Sequence, residues 1–203
     1  MITIHGMADS GNCYKPRLLA ALIGLPFRHN EVSFLDGGTA RPAFRAMAPL
    51  GKVPVLQLDD GRALPESNAI LTYLGDGTAF VPQDRFAHAE MLAWMFFEQY
   101  SHEPNVAVRR SLTVYPALAA AATPERMAAT LEGGRKALGI MELRLAAHEW
   151  LVGDAPSLAD IALYAYTHVA AEGGFDLGET PGVARWVERV AALPGYRPMT
   201  WLP

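Results

Sequence analysis

Cysteine occurs once in this sequence, at Cys13, and that scarcity removes several classes of protein at the outset. A lone cysteine cannot build an internal disulfide framework or a cysteine-based zinc site, and the pattern suits a reducing compartment. The histidines, His5, His29, His88, His102, His148 and His168, show no metal-ligand spacing, so no metal is expected. Long hydrophobic runs are missing as well. The longest, such as the alanines before Thr123, fall well short of the ~20 residues that a membrane span needs. Residues 1–30 spread His5, Asp9, Lys15 and Arg17 among apolar positions, without the charged start and apolar core of a signal peptide. Nor is there an excess of one charge: 19% of residues are charged, the net charge is −4, and Lys and Arg are scattered. A nucleic-acid partner is therefore not expected. Together these absences point to a cytoplasmic protein with neither a membrane nor a nucleic-acid partner.

What is present is a large apolar fraction, 51% of 203 residues, enough for one large core or two small ones. The chain changes character near residue 75. Before it, short strand patterns alternate with helical ones. Met1–Gly6 alternates as a strand. Asn12–Gly24 carries Leu18, Leu19, Leu22 and Ile23 at helical spacing and stops at a glycine. His29–Phe34 reads as a second strand, Pro42–Met47 as a short helix and Val53–Leu58 as a third strand. Asp59-Asp60-Gly61 then turns into a short strand at Arg62–Leu64. Ser67–Leu74 closes the unit as a helix. The order βαβαββα implies parallel strands joined by crossover helices, followed by an antiparallel hairpin. Gly75–Asp84, glycine-rich with Pro82 near its end, reads as a linker.

Beyond it strand signals stop. Phe86–Ser101 is helical in pattern. Thr123-Pro124-Glu125 is a helix start with proline where no amide donor is needed. Met127, Leu131, Gly134, Leu138, Met141 and Leu145 then form one apolar stripe. Gly133 and Gly134 inside that helix should each cost ~1 kcal/mol relative to alanine, which a close helix–helix approach would offset. Ser157-Leu158-Ala159-Asp160 has the form of a capping box, and Thr180-Pro181 starts another helix. His102 beside Glu103 could be an acid–base pair, though a helix-end surface pair is the plainer reading.

Three segments of the first half could carry chemistry. The loop Ala8–Arg17 puts small polar residues at a helix N-terminus, where free amides and the helix dipole favour an anion such as a thiolate. Lowering a thiol pKa of ~8.5 by about two units takes ~2.7 kcal/mol, which a hydroxyl donor and a helix end could supply. Lys52-Val53-Pro54 would leave the Val53 amide and carbonyl free for an extended peptide if its proline is cis. Glu66-Ser67-Asn68 opens the third helix with an anion for an ammonium group, and with a hydroxyl and helix N-terminus for a carboxylate. Taken singly, a plain N-cap at Ser10, an ordinary edge-strand Pro54 and a plain N-cap at Ser67 are the commoner readings. Glu66 and Ser67 match the α-amino-acid end of a γ-glutamyl group, and three such signals in this order within one small domain carry more than any one alone.

On these residues the chain resembles the soluble glutathione transferases over nearly its full length. The features that carry the resemblance are SGNCYK after the first strand, FRAMAPLGKVPVL, LPESNAILTYL, and SLADIALYAY in the helical half. The tract WMFFEQYSHEP also looks like bacterial relatives. The resemblance implies a thioredoxin-like α/β domain over residues 1–78, a linker over 79–85 and an all-α domain over 86–203. It places Ser10 where serine-type transferases keep the hydroxyl that donates to the glutathione sulfur, and Asn12 where some bacterial members use an asparagine. Val53, before a cis Pro54, should pair with the cysteinyl part of glutathione. Glu66 and Ser67 should hold the γ-glutamyl end, and Lys52 the glycyl carboxylate. Two departures stand out: Ala48 occupies a position that is often asparagine, and Arg41 lies where a histidine often serves the glycyl carboxylate.

Cys13 occupies the second position of what is a C-x-x-C pair in glutaredoxin-like relatives, so a packing role is weighed against a redox one. Phe97, Tyr100 and Arg109 are candidates for the electrophile pocket. The activity implied is a glutathione transferase that ionises the glutathione thiol to attack a small electrophile, in a homodimeric detoxification enzyme with glutathione as cosubstrate. The alternatives are a glutathione-dependent disulfide reductase or peroxidase on the same fold, and a non-catalytic transferase-like binding protein.

Overall fold

The computed structural model describes all residues, Met1–Pro203. The chain forms two compact units, one of residues 1–78 with 193–203 and one of residues 79–192. Residues 193–203, assigned from sequence to the helical domain, group with the first unit.

In the first unit β1 (Ile2–Gly6), β2 (Phe27–Glu31), β3 (Val55–Gln57) and β4 (Ala63–Pro65) form one sheet in the order β2-β1-β3-β4. Helix α1 (Gly11–Leu22) crosses between the parallel pair β1 and β2, and ends before Gly24, whose φ of 67° is open to glycine. The next strand does not continue the parallel pattern expected from crossover helices. β3 runs antiparallel to β1, with His5 opposite Val55, and β4 returns antiparallel to β3. The reason is geometric. Both Gly6 and Glu31 lie at the sheet end where β3 begins, so the link need only pass over the end of β1. The six-residue helix α2 (Pro42–Met47) is too short for a return along the sheet. Helix α3 (Ser67–Gly75) packs on α1, and Leu18, Leu19, Ile70 and Leu71 are fully buried, as are Ile4 and Leu56, while Val55 lies in a separate core cluster with Phe44 and Ala48.

The C-terminal segment fastens to α1. The Tyr14 hydroxyl donates to the Arg197 carbonyl at 2.5 Å, Arg17 Nη1 donates to the Trp201 carbonyl at 3.2 Å, and Trp201 meets Phe27 edge to face. Because Tyr14 and Arg17 sit one turn apart on α1, the strap holds the same turns of helix that follow the Ala8–Ser10 loop.

The second unit is helical: α4 (Arg85–Phe97), a π-helical segment (Glu98–Ala107), α5 (Val108–Val114), α6 (Pro124–Leu145), α7 (Leu158–Thr167) and α8 (Pro181–Ala191). None is long and apolar enough to cross a membrane. The expected end of α4 at Ser101 gives way to the π-helical turns around Pro104, which has no amide to donate and whose ring clashes with the carbonyl four residues back in α geometry. His102 is not at the surface: it is fully buried, with Nε2 3.0 Å from Thr167 Oγ1. Thr167 gives its own proton to the Leu163 carbonyl, so His102 Nε2 is the donor. The two glycines of α6 are filled from different sides. A Cβ at Gly134 would lie 2.3 Å from the Phe175 ring, and one at Gly133 would lie 2.1 Å from Asn105 of the π-helical segment.

Helix α7 is buried along its whole length and starts with the expected capping box. Its Asp160 carboxylate accepts from the Ser157 amide (2.8 Å) and hydroxyl (3.0 Å), the Leu151 amide (3.1 Å) and Trp186 Nε1 (2.9 Å). Burial raises the Asp160 pKa, while these donors pull it back toward the charged form. One carboxylate thus ties α7 to the loop before it and to α8. Asp160→Ala leaves four buried donors without their acceptor and is expected to lower stability by about 3 kcal/mol or more. Denaturant unfolding checks this, and a loss under about 1 kcal/mol would mean that the carboxylate does not hold those segments.

Candidate functional site

The site in the first unit is assembled where the N-termini of α1 and α3 come together. Ser10 is the N-cap of α1, with extended backbone (φ −85°, ψ 124°), and its Oγ accepts from the Cys13 amide at 3.4 Å. This is the N-cap role the residue type favours. It consumes a lone pair of Oγ and not the hydroxyl proton. Two side chains, Glu31 and Arg17, hold the loop in front of it. The Glu31 carboxylate at the end of β2 accepts from the Ala8 amide at 3.1 and 3.3 Å and meets His29 Nε2 at 2.8 Å. Arg17, almost fully buried, donates to the carbonyls of Ala8, Cys13 and Trp201. Desolvation lowers its pKa while neighbouring acidic groups oppose the shift.

Asn12 lies in the first turn of α1, and its Oδ1 accepts from the Ser67 hydroxyl, the first residue of α3, at 3.3 Å. Lys15, also on α1 and fully buried, donates Nζ to Ser67 Oγ at 3.2 Å and to Asn68 Oδ1 at 3.4 Å. Glu66, the N-cap of α3, is exposed and holds a φ of 72° and ψ of 113°, and is the one non-glycine residue with positive φ in the chain. Such a conformation costs about 1–3 kcal/mol and tends to gather at ligand sites. Its carbonyl still accepts from the Ile70 amide at 2.9 Å, so the strain turns the side chain without breaking the helix start.

The Val53–Pro54 peptide bond is cis. Pro54 is buried and Val53 half-buried, and the β1–β3 ladder starts only at Val55, which leaves Val53 outside it. Lys52 is exposed. Arg41 is exposed and lies 3.9 Å from Asp36. Cys13 is fully buried against Gly6, where a Cβ would come within 2.5 Å of Sγ. Burial pushes its thiol up to about 11, against the opposing pull of the Ser10 hydroxyl and the Met7 backbone. At neutral pH it is therefore protonated.

Of the expected site residues, the structure brings Asn12 to Ser67, keeps Ser10 at the N-cap of the same α1 turn, and sets Glu66 at the start of α3 beside Ser67. Lys15, Arg17 and Glu31 were not singled out from sequence. The signal that could have pointed to the first two was their place among the apolar positions of a short helix. There a charge is either at the edge or committed to fixed partners.

In the helical unit the three pocket candidates have separate surroundings. Phe97 is half-buried edge to face on Trp94, 5.3 Å between centroids, and Tyr100 is 88% exposed. Arg109 is committed to the Gly173 and Met127 carbonyls. A cavity of about 160 Å³ in this unit is lined by Glu103, Val108, Ser111, Leu118 and Arg126 among others, and by none of the three. No group of three or more His, Cys, Asp or Glu side chains is placed to hold a metal ion.

Residues 9–76 match the model of the glutathione S-transferase N-terminal domain, and residues 87–194 match that of the C-terminal domain. A glutathione S-transferase structure from Pseudomonas fluorescens is 47% identical with a TM-score of 0.94, and the match covers 98% of each chain. A glutathione S-transferase-like protein, LUC7, from Fusarium is 32% identical over 206 residues, covering 92% of this chain and 86% of that protein. The disulfide-bond oxidoreductase YfcG of Escherichia coli K12 is 27% identical, covering 96% of this chain and 92% of that protein. The four-stranded sheet with its helices, the all-helical second unit and these matches lead to one assignment: the chain belongs to the glutathione S-transferase family.

Proposed function

We propose that the protein is a glutathione transferase of the serine type, which binds glutathione extended along Val53 and ionises its thiol beside Ser10 and Asn12. The observation that carries this reading is the meeting of the two helix N-termini, with Asn12 Oδ1 and Ser67 Oγ 3.3 Å apart. A thiol subsite at the start of α1 and a carboxylate subsite at the start of α3 are then one residue's reach from each other, as the two ends of a γ-glutamylcysteine unit require. In this reading Glu66 takes the γ-glutamyl ammonium, and the α3 N-terminus takes its carboxylate. The Val53 backbone pairs with the cysteinyl part, and Lys52 supplies a point charge for the glycyl carboxylate.

Ser10 supplies a hydroxyl proton to the glutathione sulfur while its oxygen stays engaged by the Cys13 amide. The thiol of Cys13 keeps its own proton at neutral pH and so does not draw on that donor as a thiolate would. The ionised sulfur attacks the electrophile, the leaving group departs with its electron pair, and the thiol proton passes to solvent. A detoxifying role in the cytoplasm fits this chemistry. A homodimer belongs to the same reading, and the exposed Leu50 and Tyr73 of the first unit are apolar surface that an interface would cover. A solution mass equal to the 22.0 kDa chain would contradict the dimer, and twice that mass would support it.

The similarity to a disulfide-bond oxidoreductase favours glutathione-dependent disulfide reduction as a second reading. In that reading bound glutathione carries the turnover and Cys13 packs, which the burial and raised thiol pKa of Cys13 support. Steady-state turnover with an aryl halide and with a small disulfide separates the two readings. Conjugation should dominate, and Ser10→Ala should lower its kcat/KM about 10- to 100-fold with little change in glutathione affinity, the worth of one hydrogen bond to a charged sulfur. Disulfide turnover without conjugation would move the assignment to the reductase, and an unaltered kcat/KM in Ser10→Ala would remove Ser10 from the mechanism.

A further inference from the structure

We infer that Lys15 is a positioning residue for thiol activation, acting through Ser67 to fix the Asn12 carboxamide as a hydrogen-bond donor. The inference rests on the reading that Asn12 serves the glutathione sulfur.

The argument is one of proton counting. An ammonium has donors only, so at 3.2 Å from Lys15 Nζ the Ser67 oxygen is the acceptor. The single Ser67 hydroxyl proton then goes to another acceptor, and Asn12 Oδ1 stands 3.3 Å away. With its oxygen claimed by Ser67, the Asn12 amide acts elsewhere through Nδ2, which can only donate. A thiolate needs donors, and a carbonyl oxygen turned toward it would repel it.

Without Lys15 this bias disappears. A serine hydroxyl facing an asparagine works equally well as donor to Oδ1 or as acceptor from Nδ2, which is why amide orientation is ordinarily ambiguous. The buried ammonium breaks that symmetry: it takes one of the two serine lone pairs, and its charge disfavours a second N–H brought to the same oxygen while favouring the carbonyl Oδ1 there. A second bond from Nζ to Asn68 Oδ1 at 3.4 Å holds the ammonium to the first two residues of α3, so it cannot swing away from Ser67. Lys15 is fully buried, and it therefore acts on the sulfur through Ser67 and Asn12 without a solvent path.

The test measures the pKa of the bound glutathione thiol from its thiolate ultraviolet absorbance as a function of pH. Wild type, Lys15→Met, Ser67→Ala, the double variant and Asn12→Ala are compared, with S-methylglutathione affinity measured alongside. Lys15→Met should raise the bound thiol pKa by about one unit, a tenfold loss of thiolate below the pKa. Ser67→Ala, which keeps the buried lysine, should raise it similarly. In the Ser67→Ala background Lys15→Met should add nothing, because the link it acts through is already cut. Additive shifts, or an unchanged thiol pKa in Lys15→Met with only S-methylglutathione affinity reduced, would overturn the inference and assign Lys15 to the carboxylate subsite. An Asn12→Ala variant with the wild-type thiol pKa would overturn the reading of Asn12 beneath it. A thiol pKa moved by Asn12→Ala but not by Ser67→Ala would overturn the inference alone.

Discussion

Everything in the candidate site depends on holding two helix N-termini side by side at one end of a four-stranded sheet. Each carries a partial positive charge, and bringing two such ends together is unfavourable in itself. Burial of Leu18 and Leu19 on α1 and of Ile70 and Leu71 on α3, together with the strands beneath them, holds the pair in place. The contact from Ser67 to Asn12 fixes their relative register. The electrostatic result is a patch that favours an anion. The chemistry proposed for it supplies two, a carboxylate at α3 and a thiolate at α1.

The same constraint explains why the supporting groups look excessive for a loop and two caps. Glu31 holds the Ala8 amide from below, Arg17 holds the Ala8 carbonyl from the helix, and the C-terminal strap holds Arg17 and Tyr14. A hydrogen-bond donor improves a thiol's acidity only if it is already in place when the charge forms. A cap residue on a loose loop would have to be ordered on binding, which offsets much of its benefit.

Local rules made much of this legible. Alternation gave β1, a proline start gave α2 and α6, and serine with aspartate three residues on gave the capped α7, because those signals are written in neighbouring residues. The three site loops were also legible, since caps and an X-Pro turn have local signatures. Other features depend on what lies far away in the chain. Strand β2 spans Phe27–Glu31, earlier than its apolar residues suggest, because its register is set by pairing with Ile2–Gly6. The burial of Lys15 follows from Ser67 and Asn68 more than fifty residues on. That of His102 follows from Thr167, and the docking of residues 193–203 from Tyr14 and Arg17. The π-helical turns have only Pro104 as a local signal, and it lies beyond the periodic stretch Phe86–Ser101.

The central claim is that binding ionises the glutathione thiol, and the most direct measurement is calorimetric titration with glutathione at pH 7.5 in buffers of different ionisation enthalpy. A free thiol with a pKa of ~8.5 is mostly protonated there. The account expects glutathione to release close to one proton on binding, seen as an enthalpy that varies with the buffer, while S-methylglutathione releases none. Equal, buffer-independent enthalpies for the two ligands would contradict it.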